Sequence, residues 1–396
     1  MKKYTLENGR KYVAFIAVAI VTVSCFVQCT PKQTTAVSSV PNTTPQADLS
    51  KGLKDYFKND FLMGVAVSSR SIRTDSALIL REFNSLTAEN DMKVGVIHPA
   101  EDRWNWKNAD DIVAFAERHK IKIRGHNLLW HNQNAEWMFT GPDGKPASKE
   151  LVLQRLKTHI FTIMNRYKGK MYAWDVVNEA IEEKNPDANK MYRDTKWLEA
   201  FGGPEFIEAA FRFAREADPS AKLYYNDFNS ERPDKREKIF KLLKKLKADK
   251  VPIDGVGFQA HWTVGRPSAA EIRTALDQVV SLGLDIQVTE LDITVYPKPA
   301  PIVPGKPAVD PGFTPEAEAM QIAKYKEVFD IFRQYKKHIN SVTFWNVSDR
   351  GSWLDSRGGG SAGDPIPNPP IRLKAYPLLF DVDGQRKKAY WAVVNN

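Results

Sequence analysis

Trp174-Asp175-Val176-Val177-Asn178-Glu179-Ala180 and Val288-Thr289-Glu290-Leu291-Asp292 each place a glutamate directly after a β-branched, strand-like run. Carboxylates delivered to strand ends are what cleavage of a glycosidic bond needs, because one must donate a proton while the other attacks or steers. A lone glutamate at a strand end is as readily a helix cap or a surface residue. Two with such flanks are not.

Outward from these stretches, apolar strand-like runs alternate with longer amphipathic segments. Strands are expected at 61–68, 83–88, 121–129, 171–178, 222–227, 256–261, 284–289 and 342–346, and helices at 109–119, 151–167, 203–217 and 314–337. Strands that each lead into helix-bearing sequence point to an α/β fold, a single (β/α)8 TIM barrel. A Gly-rich dinucleotide loop after the first strand is missing, which argues against an open nucleotide-binding sheet. Chemistry-bearing residues sit at successive strand ends: Glu89 and Asn90, His126 and Trp130, Asn178 and Glu179, Asn226 and Asp227, Gln259 and His261, Glu290, and Trp345. In such a barrel all the carboxyl ends meet on one face, where active sites are assembled.

The first 29 residues read as a signal peptide of lipoprotein type. Lys2, Lys3, Arg10 and Lys11 precede an apolar run over 12–27, too short and too N-terminal for a spanning helix. Thr22-Val23-Ser24-Cys25 has a small residue before a cysteine, as a lipoprotein cleavage box does, while Cys29 directly precedes polar sequence; either is the candidate lipidation site. Residues 30–50, rich in Thr, Pro, Ser and Gln, are expected to be a flexible linker, and 51–396 the catalytic domain. These are the only two cysteines, so an exported protein would have no disulfide framework and must rely on a large core. The expected location is therefore exported and held at a membrane only through an N-terminal lipid, or otherwise secreted.

Fifty-seven Lys and Arg against 48 Asp and Glu give a net charge of +9 over 396 residues. The basic residues are scattered, and the densest run, Lys241 to Lys247, interleaves leucines as an amphipathic helix with a solvated face does. No nucleic-acid partner is expected. His126, His131 and His261 match no common zinc spacing, so neither a metal nor another cofactor is expected. No partner interface is legible, which leaves a monomer.

Several blocks in order carry a resemblance: Thr87-Ala88-Glu89-Asn90-Asp91-Met92-Lys93, Gly125-His126-Asn127-Leu128-Leu129-Trp130-His131, the Trp174–Ala180 stretch, Tyr225-Asn226-Asp227-Phe228-Asn229, Gly257-Phe258-Gln259-Ala260-His261, the Val288–Asp292 stretch and Thr343-Phe344-Trp345. From about residue 53 onward the chain resembles glycoside hydrolase family 10, the retaining endo-β-1,4-xylanases. The resemblance implies Glu179 as acid/base and Glu290 as nucleophile, with Asn178, His261 and Asp292 in support. It implies Glu89, Asn90, Lys93, His126, Trp130, Gln133, Asn226, Gln259, Trp345 and Trp353 as contacts to xylan or xylo-oligosaccharide. Phe228 replaces a tyrosine common in the family, and Val94 a tryptophan. The stretch 355–370 reads as a long loop near the leaving-group side or as a solvated insertion. Retention implies carboxyl groups about 5–5.5 Å apart. Two other readings stay open: a mannanase or cellulase on the same barrel, and a surface glycan-binding lipoprotein without catalysis.

Overall fold

The computed structural model describes residues 48–183, 185, 187, 189–297, 312–357 and 373–395. Within them eight parallel strands form the barrel: β1 Leu62–Val67, β2 Ser85–Ala88, β3 Lys122–Trp130, β4 Met171–Asn178, β5 Lys222–Asp227, β6 Gly255–Phe258, β7 Asp285–Thr294 and β8 Ile339–Phe344. Each pairs with its neighbour in sequence, and β8 pairs with β1 to close the ring. The fold is the expected (β/α)8 barrel. The signal segment with Cys25 and Cys29, most of the linker and residues 358–370 of the loop lie outside the described residues.

The outer helices form for local reasons. Lys149–Arg166 begins at Ser148, whose hydroxyl accepts from Leu151 N at 3.3 Å. Ala269–Ser281 opens with a reciprocal Ser268–Glu271 capping box. Pro233–Ala248 starts on a proline whose fixed φ suits the first turn. It buries Ile239, Leu242, Leu243 and Leu246 while Lys241, Lys244, Lys245 and Lys247 stay exposed, so the basic run is a solvated helix face. Each leucine so buried stabilises the fold by about 1.5–3 kcal/mol before entropy is counted. No helix among the described residues is long and apolar enough to cross a membrane.

The largest departures from expectation are in β6, β7 and β8, the last running over Ile339–Phe344 instead of 342–346. The run 256–261 is not continuous: β6 ends at Phe258, Ala260 takes a left-handed φ of 61°, and His261–Thr263 resumes as a short stretch paired to β7. β7 itself continues five residues beyond 289, with Asp292 and Thr294 buried. The stretch His261–Thr263 supplies the pairing partner for this extension, and the barrel interior is itself polar. Arg124 and Asp175, both without solvent exposure, pair at 2.6 Å, and Arg124 Nε donates to Gln287 Oε1 at 2.5 Å. Thr87, Ser341 and Thr343 are buried as well. Close approach is enforced too: a Cβ on Gly64 of β1 would meet Thr343 Oγ1 at 2.5 Å.

Candidate active site

At the carboxyl ends of the strands lies an open cavity of about 450 Å3. Its walls include Glu89, Asn90 and Lys93 after β2, His126 and Trp130 of β3, and Gln133 beyond it. Asn178, Glu179, Gln259, His261, Glu290, Trp345 and Trp353 complete the set of expected residues that line it. Asp292 stands behind His261.

Glu179 and Glu290 come together here, joined by amide side chains. Asn178 Nδ2 donates to Glu179 Oε1 at 3.1 Å, and Gln259 Nε2 donates to the same oxygen at 2.9 Å. Asn226 Nδ2 donates both to Asn178 Oδ1 and to Glu290 Oε1, at 2.8 Å each. Thr289 in turn donates to Asn226 Oδ1 at 2.6 Å, fixing which way that amide faces. Asn226 is the one expected substrate contact that must be reassigned. The β5 register buries it completely between Asn178 and Glu290, so it bridges the two carboxylate settings from behind and does not line the cavity.

The two carboxylates differ sharply in surroundings. Glu290 Oε2 lies 3.2 Å from His261 Nε2, and His261 Nδ1 lies 2.9 Å from Asp292 Oδ2. Burial alone would raise the Glu290 pKa. The His261 hydrogen bond and the positive fields of His126, His261 and Lys93 outweigh it and bring the group down to about 2. Burial likewise opposes a charge on His261, yet Asp292 and Glu290 raise it to about 9. Glu179 has no such ion pair. Its Oε2 lies 3.7 Å from His131 Nδ1, and burial, helped by Arg193, lowers the His131 pKa to about 4, so that ring is neutral near pH 7. Its neighbours are thus polar amides and a neutral imidazole.

Around this pair, His126 Nδ1 sits 2.9 Å from Asp175 Oδ2, and its Nε2 lies 3.4 Å from Asn127 Nδ2. Lys93 donates to Asn90 Oδ1 at 2.9 Å and lies over the Trp130 ring at 4.8 Å. Burial lowers the Lys93 pKa and raises that of Glu89. Trp353 Nε1 donates to Asp292 Oδ2 at 2.8 Å, so the same carboxylate fixes an indole wall and the imidazole beside Glu290. Gln133 has a positive φ of 47°, and Gly95 N donates to its carbonyl at 2.7 Å. A Cβ on Gly95 would come within 2.6 Å of that oxygen, so glycine is required for the approach.

His131, Asn132, Glu183, Arg193 and Arg357 also line the cavity and carried no role in the sequence reading. His131 belonged to a quoted block and could have been found there; the other four stand on loops without motif or periodicity. Phe228 lies in the wall with Lys235 Nζ 3.5 Å from its ring centre, where a tyrosine would have offered a hydroxyl. His126 and His131 both reach the cavity, one ring fixed by Asp175 and the other beside Glu179. Among the described residues no group of three or more His, Cys, Asp or Glu is arranged to hold a metal ion.

The model for glycosyl hydrolase family 10 matches residues 52–396. Endo-1,4-beta-xylanase B of Paenibacillus barcinonensis is 42% identical over 343 residues, covering 86% of this chain and 97% of that protein. A beta-1,4-xylanase of Dictyoglomus thermophilum is 43% identical, covering 86% of this chain and 90% of its own. The crystal structure of xylanase XynB from Paenibacillus barcinonensis superposes with a TM-score of 0.79 at 40% identity, covering 88% of this chain and 99% of that one.

Proposed function

The chain belongs to glycosyl hydrolase family 10, and from that premise we propose that it is a retaining endo-1,4-β-xylanase hydrolysing internal bonds of xylan. The observation that carries the reading is the unequal pair of carboxylates bridged by Asn178 and Asn226 across one cavity. Glu290, ionised and aligned by His261 and Asn226, is the nucleophile. It attacks the anomeric carbon as the glycosidic C–O bond breaks, and Glu179 gives its proton to the departing oxygen. In the second step Glu179 takes a proton from water, which attacks the same carbon and frees Glu290. The sugar keeps its β-configuration because it is displaced twice.

The supporting roles proposed here are those that the family resemblance implies for these residues. Asn178 is placed to meet the 2-hydroxyl of the sugar at the cleavage point, a contact that strengthens in an oxocarbenium-like transition state. Glu89, Asn90 and Lys93 supply acceptors and donors for hydroxyls on the non-reducing side, with His126, Trp130, Gln133 and Gln259 nearer the bond. Trp345 and Trp353 offer flat apolar faces to pyranose C–H faces and crowd the space a glucose hydroxymethyl would need. Initial rates on xylan, glucomannan and carboxymethyl cellulose test the substrate: xylan must be fastest, and Glu290→Ala must abolish turnover on all three. Faster cleavage of either other polymer would identify a different β-glycanase. Xylan that gains no reducing ends would leave only glycan binding.

The catalytic domain is proposed to act as an exported monomer tethered by lipid at Cys25 or Cys29. Labelled palmitate should enter the protein and be lost in one of Cys25→Ala and Cys29→Ala; labelling of neither parent nor variants would show a plain secreted enzyme.

A further inference from the structure

One peptide unit beside the site is gripped at both ends by side chains. The carbonyl of Glu179 accepts from Arg193 Nε at 3.1 Å, and the N–H of Ala180 donates to the Tyr225 hydroxyl at 3.1 Å. Behind the hydroxyl stands a fully buried relay. Tyr225 donates to Asp227 Oδ2 at 2.5 Å, and Asp227 Oδ1 pairs with Lys235 Nζ at 2.8 Å. Lys235 is held in turn by Glu183 Oε2 at 3.3 Å. Burial, with Asp227 beside it, drives the Tyr225 hydroxyl well above its ordinary range. It therefore keeps its proton for Asp227 and offers a lone pair to Ala180.

Such a clamp has a reason to exist at this point. Glu179 has a φ of 58°, a left-handed conformation that a glutamate seldom adopts and that persists only where its surroundings impose it. The Glu179 N–H is already fixed by Asn226 O at 2.9 Å, so the unit on its other side sets how the residue turns out of β4. We propose that Tyr225 and Arg193 are positioning residues that, backed by Asp227 and Lys235, hold the Glu179–Ala180 peptide so that the Glu179 carboxyl reaches the leaving oxygen. The inference rests on Glu179 being the acid/base. It gives Arg193 and Tyr225 no contact with the reacting atoms. The nucleophile hangs on a different set, His261 and Asn226. Successive strand residues face opposite sides, so removing the Tyr225 hydroxyl leaves Asn226 facing Glu290.

The test compares kcat/KM for aryl β-xylobiosides whose leaving group needs a proton, such as phenyl, with that for the dinitrophenyl analogue, which does not. Tyr225→Phe should lose about tenfold on the phenyl substrate, equivalent to about 1.4 kcal/mol of barrier, and less than about twofold on the dinitrophenyl one. Arg193→Lys, which keeps the charge and changes the fork, should show the same bias and serves if Tyr225→Phe fails to fold. Glu179→Ala is measured alongside. If Glu179→Ala itself loses equally on both substrates, the acid/base assignment fails and takes the clamp with it. If Glu179→Ala shows the bias while folded Tyr225→Phe or Arg193→Lys loses equally on both or not at all, the clamp alone is overturned.

Discussion

Glu290 and His261 each favour the charged form of the other. The Glu290 pKa is held near 2, below the ordinary glutamate value of 4.5, so the carboxylate stays ionised well into acid. An ionised nucleophile is required for the first displacement, and the acid limb of kcat/KM reports the free enzyme. His261→Asn removes the charged donor at 3.2 Å, and the Glu290 pKa must climb toward ordinary values. The acid limb should move up by about one pH unit or more, since each unit is worth about 1.4 kcal/mol of lost preference for the charged form. A limb that stays in place would mean that another group controls Glu290. At this scale the sequence was informative. Glu179, Glu290, Asn178, His261 and Asp292 stood beside strand ends or within short blocks, and they meet in space. Asn226 was misplaced because a polar residue at a strand end faces either the cavity or its neighbours, and only the β4–β5 register says which.

A second coupled pair underlies the element that carries Lys93. His98, which follows the short helix Val94–Ile97, places Nδ1 3.2 Å from Nδ1 of His159 on the helix Lys149–Arg166. Trp104 stacks on His98 at 3.6 Å, and Glu101, paired with Arg155 at 2.7 Å, is the charged group nearby. Burial lowers both imidazoles, His159 to about 3. Their folded pKa values therefore lie below the unfolded value of about 6.5, and the unfolded chain binds more protons in acid. Stability from this pair is complete above pH 6.5 and falls as pH drops from there toward 3. Denaturation midpoints measured between pH 6.5 and 4 should decline more steeply for the parent than for His159→Met; parallel declines would contradict the assignment. Element boundaries were legible where an apolar and aromatic run ended in a polar residue, as in β4 and β5, whose limits match expectation. They were not legible where polar residues turn into the barrel. Ile339-Asn340-Ser341 opens β8 although only one of the three is apolar, because Ser341 faces an interior already polar with Arg124 and Gln287. The break after β6 was hidden for another reason: Ala260 carries no local signal for a left-handed φ. It is imposed where Gln259 reaches Glu179 and His261 reaches Glu290.

For the molecule as a whole, the order of the chain builds one site from distant parts. Residues 111 positions apart in sequence, from 290 minus 179, become joined through two amides because β4 and β7 end on the same barrel face. Alternation of strand and helix made that architecture legible. The loops escaped: Glu183 and Arg193 after β4, and Arg357 after β8, take their places from the path of the chain, which no period in the sequence describes. What the assembled site claims is double displacement, a nucleophile and an acid/base acting in turn on one anomeric centre. The most direct measurement is proton NMR of xylohexaose hydrolysis, read before mutarotation. Double displacement predicts that the first new reducing end is the β-anomer, with the α-anomer growing in only later; a first product in the α-configuration would contradict it.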